Sequence, residues 1–564
     1  MENKEYMLID GNPVEINGEK NLLEVIRKAG IELPTFCYHS ELSVYGACRM
    51  CMVENSHGGM EAACSTVPKA GMEIYTNTER LHKHRKMILE LLLANHCRDC
   101  TTCQKNGKCR LQELASLFGL ESIRFKNLKP EPELDTSSLS IIRDAHKCIL
   151  CGDCVRMCNE IQNVGAIDFV NRGSKMVIGP AFNEPIAKSP CVGCGQCAAV
   201  CPTGAIVIRK DTGRVWPELN DKNTKVVAQV APAVRVAMAK EFGLPENENS
   251  MGRITAALRR LGFDEVYDTA TGADLTVLEE SNEFLQRIEA GENLPLITSC
   301  CPAWIQYCEK NHPELMKNIS TCKSPMQMFS SVIKAKYATS SRRVVCVAVM
   351  PCTAKKFECA REEFMHDGVP ETDYVITTQE LIQMIHKAGI VFEELEPEAV
   401  DSVFSTCTGA GVIFGVTGGV TEADLRRLST AKSNTALMSI AFNDVRGMKG
   451  VKETTIPYGD KEVRIAIVSG LKNAESVIQA LKNGEHYDFI EVMACPGGCV
   501  AGGGQPFGTN ATKEVRGKAL YSADKMLSIK RSEENPLMIS LYDGVLKGRV
   551  HELLHVQYNH KEDE

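Results

Sequence analysis

Two patterns of hydrophobic and polar positions divide the chain near Arg214. Before it, apolar segments are short: the alternating run Tyr6–Ile16 predicts a hairpin, and Leu22–Ala29 and the amphipathic stretch Leu81–Leu93 predict helices. After it, short β-branched segments alternate with longer helical ones, which is typical of an α/β fold.

Several predicted strands of the second part run directly into cysteine-bearing loops. In open parallel sheets, ligands collect at the carboxyl ends of strands, so these loops would bring Cys301, Cys352, Cys495 and Cys499 to one place between two α/β lobes. The predicted helices are Ala233–Phe242, Ala273–Glu289 and Leu471–Lys482. The predicted strands are Lys225–Val230, Leu294–Thr298, Arg343–Met350, Arg464–Ser469 and Phe489–Met493.

Composition and charge narrow the class of protein. The 564 residues allow several domains, and 44% hydrophobic content is enough for buried cores. A net charge of −8 without a dense Lys/Arg tract argues against nucleic acid as a partner. The polar start lacks the apolar segment of a secretory signal, and no run approaches the ~18 apolar residues of a membrane helix. We therefore expect a cytoplasmic protein without a membrane partner.

The 26 cysteines are the strongest compositional signal. They are bunched at gaps of two and three residues in a long chain, which indicates metal ligation in a reducing compartment rather than disulfides. The first group has Gly46 before its close pair and a gap of ten residues after its first cysteine, and consists of Cys37, Cys48, Cys51 and Cys64. It resembles the [2Fe–2S] ferredoxin-like domain at the front of hydrogenases and complex I large subunits; a four-cysteine zinc site is the alternative.

The second group follows the predicted helix Leu81–Leu93 and consists of His96, Cys100, Cys103 and Cys109. A zinc site with three cysteines and one histidine is the alternative reading. Its position between ferredoxin-like segments favours a [4Fe–4S] cluster, because an electron carrier is useful there. Cys97 is not expected to be a ligand.

Two further groups repeat the spacing of bacterial two-cluster ferredoxins. In that arrangement the fourth cysteine of each run ligates the other cluster. One [4Fe–4S] cluster would thus be held by Cys148, Cys151, Cys154 and Cys201, and the other by Cys158, Cys191, Cys194 and Cys197. Four clusters in sequence imply a path for electrons.

Three segments of the second half of the chain indicate which reaction it catalyses. They are Thr298–Trp304 with the pair Cys300-Cys301, Met350–Lys356 with Cys352, and Met493–Cys499 with Cys495, the last running into Gly502-Gly503-Gly504. Together they resemble the signature segments of the [FeFe]-hydrogenases, which make and oxidise H2 at an H-cluster. The resemblance covers nearly the whole chain, and His551–His555 lies in a tail that resembles the small-subunit segment of that family.

The resemblance implies a role for each residue around the cluster. Cys301, Cys352, Cys495 and Cys499 would hold a [4Fe–4S] cubane, and Cys499 would bridge it to a diiron subsite carrying CO, cyanide and azadithiolate. Cys300 would exchange protons there, since a thiol with an ordinary pKa of ~8.5 holds a proton at neutral pH. Lys355 would donate to cyanide. Other residues expected in the cavity are Ser299, Gln327, Met350, Met493 and Pro232, although each methionine taken alone is as well explained as core.

The same resemblance implies a proton route from Cys300 through Glu280, Ser320 and Glu283 to the surface. The two glutamates lie three residues apart on a predicted helix, hence on one face, and Arg287 can pair with Glu283. Without the resemblance, both glutamates would be read as solvated surface residues.

Other motifs carry less weight. Gly409–Phe414 fails the dinucleotide fingerprint, so we find no flavin or nicotinamide site in this chain. His551-Glu552-Leu553-Leu554-His555 satisfies the H-E-x-x-H pattern of zinc proteases, but its place near the terminus favours a structural role. Cys308, Cys322, Cys346, Cys359 and Cys407 have no ligand spacing and are expected to be buried apolar residues.

We therefore expect a multidomain α+β and α/β hydrogenase with one [2Fe–2S] cluster, three accessory [4Fe–4S] clusters and an H-cluster. A complex I subunit would lack the three catalytic segments, and a sensing or cluster-assembly relative would lack Cys300. Ferredoxin, NAD(P)H- and flavin-binding subunits, and maturation proteins are the expected partners, and an electron-bifurcating assembly is one form. The expected domains are β-grasp [2Fe–2S] (1–79), His/Cys3 [4Fe–4S] (80–125), two-[4Fe–4S] ferredoxin-like (138–210), two-lobed H-cluster (215–516) and small-subunit-like tail (517–564).

Overall fold

The computed structural model describes residues 5–127, 133–431, 446–447, 450–458 and 461–558. The first unit contains strands β1 (Glu5–Ile9), β2 (Asn12–Ile16), β3 (Met52–Asn55), β4 (Met60–Ala62) and β5 (Glu73–Tyr75), and helix α1 (Leu22–Lys28). The strands form one sheet in the order β2-β1-β5-β3-β4, and the apolar face of α1 is buried in the same core. The predicted hairpin and first helix are confirmed.

Two helices follow, α2 (Glu79–Ala94) and α3 (Arg110–Leu117). Thr78 caps α2 by accepting a hydrogen bond from the amide of Leu81, which satisfies one of the unpaired donors at a helix start. The two helices share a buried cluster, and the loop between them carries the second group of predicted ligands.

The third unit is built from two short antiparallel pairs and two short helices. Each helix begins directly after a glycine in the left-handed region, Gly152 (φ 76°) and Gly195 (φ 69°), a conformation that costs glycine little. The elements are β6 (Ile141–Arg143), α4 (Asp153–Arg156), β7 (Asp168–Val170), β8 (Val177–Gly179), α5 (Gln196–Val200) and β9 (Ile206–Ile208), with β6 paired to β9 and β7 to β8.

The large C-terminal unit begins with α6 (Thr212–Asn220). Its strands are β10 (Thr224–Val230), β11 (Glu265–Asp268), β12 (Leu296–Ile297), β13 (Arg343–Met350), β14 (Met365–His366), β15 (Val369–Pro370), β16 (Tyr374–Thr377), β17 (Val451–Tyr458), β18 (Lys461–Ser469) and β19 (Phe489–Met493). Its helices are α7 (Met251–Leu261), α8 (Ala270–Ala290), α9 (Pro302–Asn311), α10 (Pro325–Lys336), α11 (Lys355–Glu358), α12 (Thr378–Lys387), α13 (Gly409–Val412), α14 (Gly419–Ala431) and α15 (Leu471–Lys482).

Two four-stranded sheets organise this unit. The first has the order β11-β10-β13-β16 and is parallel throughout. The second has the order β12-β19-β18-β17, in which only β17 is antiparallel to its neighbour. Each sheet has its own buried core, which agrees with the predicted two-lobed α/β architecture.

The chain ends in α16 (Asn510–Met526), α17 (Pro536–Asp543) and α18 (Val550–Leu554). The last segment is bound to the loop before α10: the amide of Lys323 donates to Leu554 O, and the amide of Val556 donates to Thr321 O. The tail is therefore packed against the large C-terminal unit. No helix in the described part of the chain is long and apolar enough to cross a membrane.

Most predicted elements are confirmed, but one is wrong. Residues 233–242 form two short 3₁₀ turns, Pro232–Val234 and Ala239–Phe242, instead of an α-helix. Their carbonyls are used elsewhere, since Ala233 O accepts from the Gln505 side chain and Arg235 O from the Ser250 amide. The predicted strand Leu294–Thr298 is only partly formed, as β12.

Candidate active site

A cavity of about 90 Å³ lies at the carboxyl ends of strands from both sheets. Ala231 follows β10, Met350 ends β13 and Met493 ends β19, and all three line it. The two sheets thus deliver separate loops to one place, as expected for ligand sites in α/β folds. The cysteines that line the cavity are Cys300, Cys301, Cys352, Cys495 and Cys499.

The local backbone structure places these cysteines in the lining of the cavity. Cys301 precedes α9, whose first residue is Pro302, and its Sγ accepts a hydrogen bond from the amide of Ala494 at 3.5 Å. The backbone also approaches closely at Gly502, where an added Cβ would lie 2.3 Å from Pro351 O. Only glycine fits such a contact.

The four cysteines other than Cys300 have the surroundings of metal ligands. Burial raises the pKa of each thiol, to about 12 for Cys352, and the charges of neighbouring cysteines add to the rise for Cys352, Cys495 and Cys499. Four thiolates in a buried apolar cavity therefore require a cationic partner. Thiolate donors of this kind suit an iron–sulfur cluster.

Cys300 and Lys355 lie beside this set. Burial raises the pKa of Cys300 well above its usual value, and the charge of Glu280 adds to the rise. Lys355 Nζ is 3.2 Å from Cys300 O and 2.7 Å from Glu358 Oε2. Burial opposes the charge of Lys355, but Glu358 keeps the pKa of the ammonium above its usual value. The cavity thus contains one protonated thiol and one fixed cation.

The predicted proton-path residues lie together on α8 and the loop before α10. Burial raises the pKa of Glu280 to about 8, and the charge of Glu283 adds to the rise. Ser320 Oγ donates to Glu283 Oε2 at 2.9 Å, and Arg287 pairs with the other oxygen at 2.5 Å. The predicted pairing of Arg287 is confirmed, and Glu280 is fully buried.

The remaining predicted cavity residues divide into two sets. Pro232, Met350 and Met493 line the cavity. Ser299 and Gln327 do not appear in its lining: the hydroxyl of Ser299 donates to Cys322 O at 2.6 Å, and Gln327 Oε1 accepts from Thr372 at 2.9 Å. Gln327 Nε2 has no hydrogen-bond partner among the described residues, so a buried donor is left there.

Sequence reasoning missed three residues of this region. Glu358 forms an ion pair with Lys355 and so stabilises its charged form, and the i,i+3 spacing of the two residues could have predicted this pair. Thr321 donates to Glu283 from its amide and hydroxyl, next to the predicted Ser320. Asp424 on α14 is buried without a hydrogen bond among the described residues, and no signal in the sequence marks it.

Comparisons with known proteins match this geometry. A family model described as iron only hydrogenase large subunit, C-terminal domain, matches residues 224–503, and one described as iron hydrogenase small subunit matches 510–561. The chain is 41% identical to the NADP-reducing hydrogenase subunit HndD of Solidesulfovibrio fructosivorans and 35% identical to iron hydrogenase 1 of Clostridium pasteurianum. These alignments cover 98% of this chain and 98% and 99% of those proteins, respectively. The chain belongs to the [FeFe]-hydrogenase family.

A solved structure supports the same assignment. The [FeFe]-hydrogenase HydA1 of Chlamydomonas reinhardtii aligns with a TM-score of 0.54 and 37% identity, over 62% of this chain and 98% of that one. The protein is therefore a hydrogenase that interconverts 2H⁺ + 2e⁻ and H2 at an H-cluster, with iron–sulfur domains upstream. Three more family models match: 2Fe-2S iron-sulfur cluster binding domain (6–79), NADH-ubiquinone oxidoreductase-G iron-sulfur binding region (85–124) and 4Fe-4S dicluster domain (147–211).

Cysteines of each upstream group of the hydrogenase lie near one another, and in the second group Cys109 lies with Cys100 and Cys103. In the first, the Cys48 amide donates to Cys37 Sγ at 3.3 Å, and a hydrogen bond with the Cys37 thiol lowers the pKa of Cys48 to about 6. One pocket is lined by Cys148, Cys151, Cys154 and Cys201, so the fourth cysteine of the second run does join the first run. Cys158 lies with Cys191 and Cys197.

The sets also contact one another. Cys151 shares a buried cluster with Cys37, Cys48 and Cys109. An added Cβ at Gly204, close after Cys201, would lie 2.7 Å from the sulfur of Cys103. Both N-terminal groups therefore lie beside the set of Cys148, Cys151, Cys154 and Cys201.

The dicluster unit of the hydrogenase is joined directly to the catalytic loops. Thr353, next to Cys352, donates to Gly193 O at 2.7 Å, and Gln196 donates to Ala501 O at 2.9 Å. An added Cβ at Gly503 would lie 2.4 Å from Cys194 O, so glycine is required at this contact. The loop of Cys194 is thus held against the loop that follows Cys499.

Proposed function

We propose that Cys301, Cys352, Cys495 and Cys499 ligate the cubane of the H-cluster and that Cys499 bridges it to the diiron subsite. The convergence of these four cysteines on one apolar cavity carries this proposal. When bound, the H-cluster supplies the redox-active iron at which protons and electrons combine. The charges and acceptor groups of this cofactor are matched by the four thiols, by the ammonium of Lys355 and by the buried side-chain amide of Gln327.

Other residues of the cavity would position the cofactor and shield it from water. Lys355 donates a charge-assisted hydrogen bond to a cyanide ligand, and Glu358 keeps it charged. Pro232, Met350 and Met493 exclude water around the subsite. Ser299 and Gln327, the other two predicted contacts, lie outside the cavity lining, and of these two side chains Gln327 keeps an unpaired donor, Nε2, among the described residues.

Protons reach the cavity through Glu280, Ser320 and Glu283, and Cys300 exchanges them at the subsite. The raised pKa of Glu280, about 8, supports this role because the group can hold and release a proton near neutral pH. Glu283 is the outer member, fixed by Arg287, Ser320 and Thr321.

We further propose one [2Fe–2S] cluster and three accessory [4Fe–4S] clusters on the four upstream sets. Their contacts support an electron route in which both N-terminal clusters feed the cluster of Cys154, then that of Cys197, then the H-cluster. The proposed domains are 1–79, 80–125, 138–210, 215–516 and 517–564; the boundary at 215 falls inside α6 (Thr212–Asn220) and the one at 516 inside α16 (Asn510–Met526).

The electron partner is proposed from the relatives. The similarity to a subunit of an NADP-reducing hydrogenase and the complex I-like segment favour partner subunits that oxidise or reduce NAD(P)H. Ferredoxin is the second candidate, and maturation proteins would install the diiron subsite.

The test is anaerobic H2 evolution by the matured single chain, driven by reduced ferredoxin without NADH. Rapid evolution supports hydrogenase chemistry with a self-sufficient ferredoxin route. No evolution in a sample with infrared CO and cyanide bands indicates that partner subunits are required. If the bands are present and neither ferredoxin nor NAD(P)H-linked subunits support turnover, the proposed electron route is wrong.

A further inference from the structure

The loop between the first two cysteines of the chain is longer than a [2Fe–2S] cluster requires. Ten residues separate Cys37 from Cys48, whereas a plant-type ferredoxin loop has about four at this place. We call residues 38–47 the docking segment, because they leave the first unit and pack on the dicluster unit. Leu42, in the middle of the segment, is 8% exposed and shares the buried core of the dicluster unit with Cys154 and Val155.

Polar and aromatic contacts fix the docking segment on both sides of its apolar anchor. The amide and the hydroxyl of Ser43 donate to the two carboxyl oxygens of Glu160, at 2.9 and 2.5 Å. The ring of Tyr45 stacks on Phe169, with centroids 5.9 Å apart and an interplanar angle of 25°. An added Cβ at Gly152 would lie 3.3 Å from Tyr45 Cε1, so the backbone before α4 also lies against this ring. All three partners belong to the dicluster unit.

Arg156, the last residue of α4, makes the most connected of these contacts. Its guanidinium donates to Ser43 O and, at 3.0 Å, to Cys37 O. Its Cζ lies 5.4 Å from the centre of the Tyr45 ring. Asp153, one turn earlier on the same helix, accepts from the guanidinium and balances its charge. The side chain of Arg156 is thus held in one place from both units, and the residue is only 8% exposed.

The position of Arg156 along the chain links these contacts to electron transfer. Cys154 lies two residues before it and Cys158 two residues after it, and they are predicted ligands of the two different [4Fe–4S] clusters. Cys37, whose carbonyl accepts from Arg156, is a predicted ligand of the [2Fe–2S] cluster. A buried guanidinium with charge-assisted hydrogen bonds holds a more constant separation than exposed side chains do. One side chain therefore fixes the distance between a ligand of the first set and the helix that carries ligands of the next two.

We propose that residues 38–47 dock the [2Fe–2S] cluster on the dicluster unit and that Arg156 is the positioning residue for electron exchange with the cluster of Cys154. One electron leaves the reduced [2Fe–2S] cluster and reduces the [4Fe–4S] cluster, or moves the opposite way when H2 is oxidised. No covalent bond changes and no proton moves in this step. The electron exchange rests on the proposed clusters, whereas the docking depends on contacts of the protein alone, so the two are tested separately.

Docking is tested by hydrogen–deuterium exchange on the anaerobic, matured enzyme. The Ser43 amide is bound to Glu160, so we expect the docking segment to be protected in the wild type. In Arg156→Met, exchange at the segment should be about tenfold faster or more, which is the factor for losing one hydrogen bond to a charged group. Exchange at the wild-type rate in this variant would overturn the docking role of Arg156.

Arg143→Met is the matched control for the loss of a buried arginine. Arg143 lies on β6 of the same unit, is 5% exposed, and donates to Ile178 O and to Asn183 instead of to the docking segment. We expect its replacement to leave exchange at the segment unchanged. Equal acceleration in Arg143→Met and Arg156→Met would show a general loss of stability and would also overturn the docking role.

Electron exchange is tested by electron paramagnetic resonance. In the dithionite-reduced wild type, the neighbouring [4Fe–4S] cluster should speed up the spin relaxation of the [2Fe–2S] signal. Arg156→Met should lose part of this effect at unchanged iron content and unchanged infrared bands. After mixing with H2, reduction of its [2Fe–2S] cluster should be slower by about tenfold or more, while the dicluster signals appear at the wild-type rate. Arg156→Lys keeps the charge and should recover part of the rate.

The outcomes separate the two halves of the proposal. Faster deuterium exchange in Arg156→Met with wild-type relaxation and reduction rate would overturn the electron role alone. A wild type without a [2Fe–2S] signal would overturn the proposed cluster and the electron role with it, and deuterium exchange would still decide the docking. If Arg156→Met loses iron, Ser43→Ala and Tyr45→Ala replace it in both experiments, because they change exposed residues of the segment. Wild-type behaviour of both would then overturn the docking.

Discussion

Two neighbouring glutamates of α8 show how surroundings set the charge of a buried acid. Burial raises the pKa of Glu280 to about 8, and the charge of Glu283 adds to the rise. Burial would raise the pKa of Glu279 as well, but hydrogen bonds with His555 and Tyr542 hold it below the usual value. At neutral pH the first is a proton carrier and the second a fixed anion.

This difference predicts a pH-dependent effect of Glu280→Gln. The pKa of Glu280 in the folded protein, about 8, lies above its usual 4.5, so the folded state binds the extra proton. The resulting stabilisation is complete below pH 4.5 and is lost as the pH rises through about 8. The variant cannot ionise at this position. Its free energy of unfolding relative to that of the wild type should therefore rise by of the order of a few kcal/mol between pH 6 and 9.

Anaerobic thermal unfolding of the matured enzyme at both pH values is the measurement. Glu279→Gln is the control with the opposite sign, because its lowered pKa contributes stability above the usual pKa that is lost only as the pH falls. A constant difference between wild type and Glu280→Gln over this range would contradict the raised pKa.

At Cys300, we expect removal of the thiol to stop chemistry and spare the cofactor. Cys300→Ala should lower H2 evolution by about 10²–10⁴-fold, the range for losing a general acid–base group. Infrared CO and cyanide bands should remain, because the proposed cluster ligands Cys301, Cys352, Cys495 and Cys499 are unchanged. Cys308→Ala, a buried cysteine outside the cavity, should evolve H2 normally. Near-normal turnover of Cys300→Ala would remove Cys300 from the proton path.

At the scale of elements, a buried ion network joins α11, α12 and the start of α6. Lys356 Nζ lies 2.7 Å from Asp211 and 3.0 Å from Glu380, and it also donates to Val375 O. Lys356 and Glu380 are buried, so each charge depends on the other two residues. The network fixes the helix that follows Cys352 against the first sheet.

Lys356→Met should therefore destabilise the catalytic unit by about 3–5 kcal/mol, because two carboxylates lose their buried cation. Anaerobic thermal unfolding at neutral pH measures the loss. Lys387→Met replaces an exposed lysine at the end of α12 and should change the unfolding temperature little. A similar small change in both variants would show that Asp211 and Glu380 are not held by Lys356.

At the scale of the whole molecule, the contacts between cysteine sets predict two converging routes for electrons. Cys48→Ser and Cys103→Ser should each remove one cluster and leave a measurable part of ferredoxin-driven H2 evolution. Cys154→Ser should abolish most of it, because Cys154 belongs to the set on which both routes converge. Electron paramagnetic resonance identifies the missing cluster, and unchanged infrared bands are the control. Equal losses in all three variants would instead indicate a single line.

The sequence determined the chemistry and most of the local structure. Cysteine spacing separated the four upstream groups, because several ligands of one cluster lie two or three residues apart in one loop, although the last cysteine of each ferredoxin-like run joins the other set. Continuous apolar runs predicted the strands Arg343–Met350 and Phe489–Met493 with the same bounds as the structure, and Leu471–Lys482 was likewise predicted as a helix. Phe489–Met493 is buried along its whole length and Arg343–Met350 over its last six residues, whereas Leu471–Lys482 buries one face; both the apolar run and the helical period are visible without tertiary information.

Only the tertiary structure decided which groups meet across the chain. The segment 233–242 is not a helix because distant donors, Gln505 among them, take its carbonyls. Three features join residues that are far apart in sequence or that lie in ordinary helices. They are the packing of both N-terminal cysteine groups beside one dicluster set, the pairing of Glu358 with Lys355, and the meeting of Cys322 with His555. The spacing of cysteines along the sequence specifies the ligands that one loop contributes. Contacts between loops depend instead on the packing of the two sheets, the dicluster unit and the tail against one another.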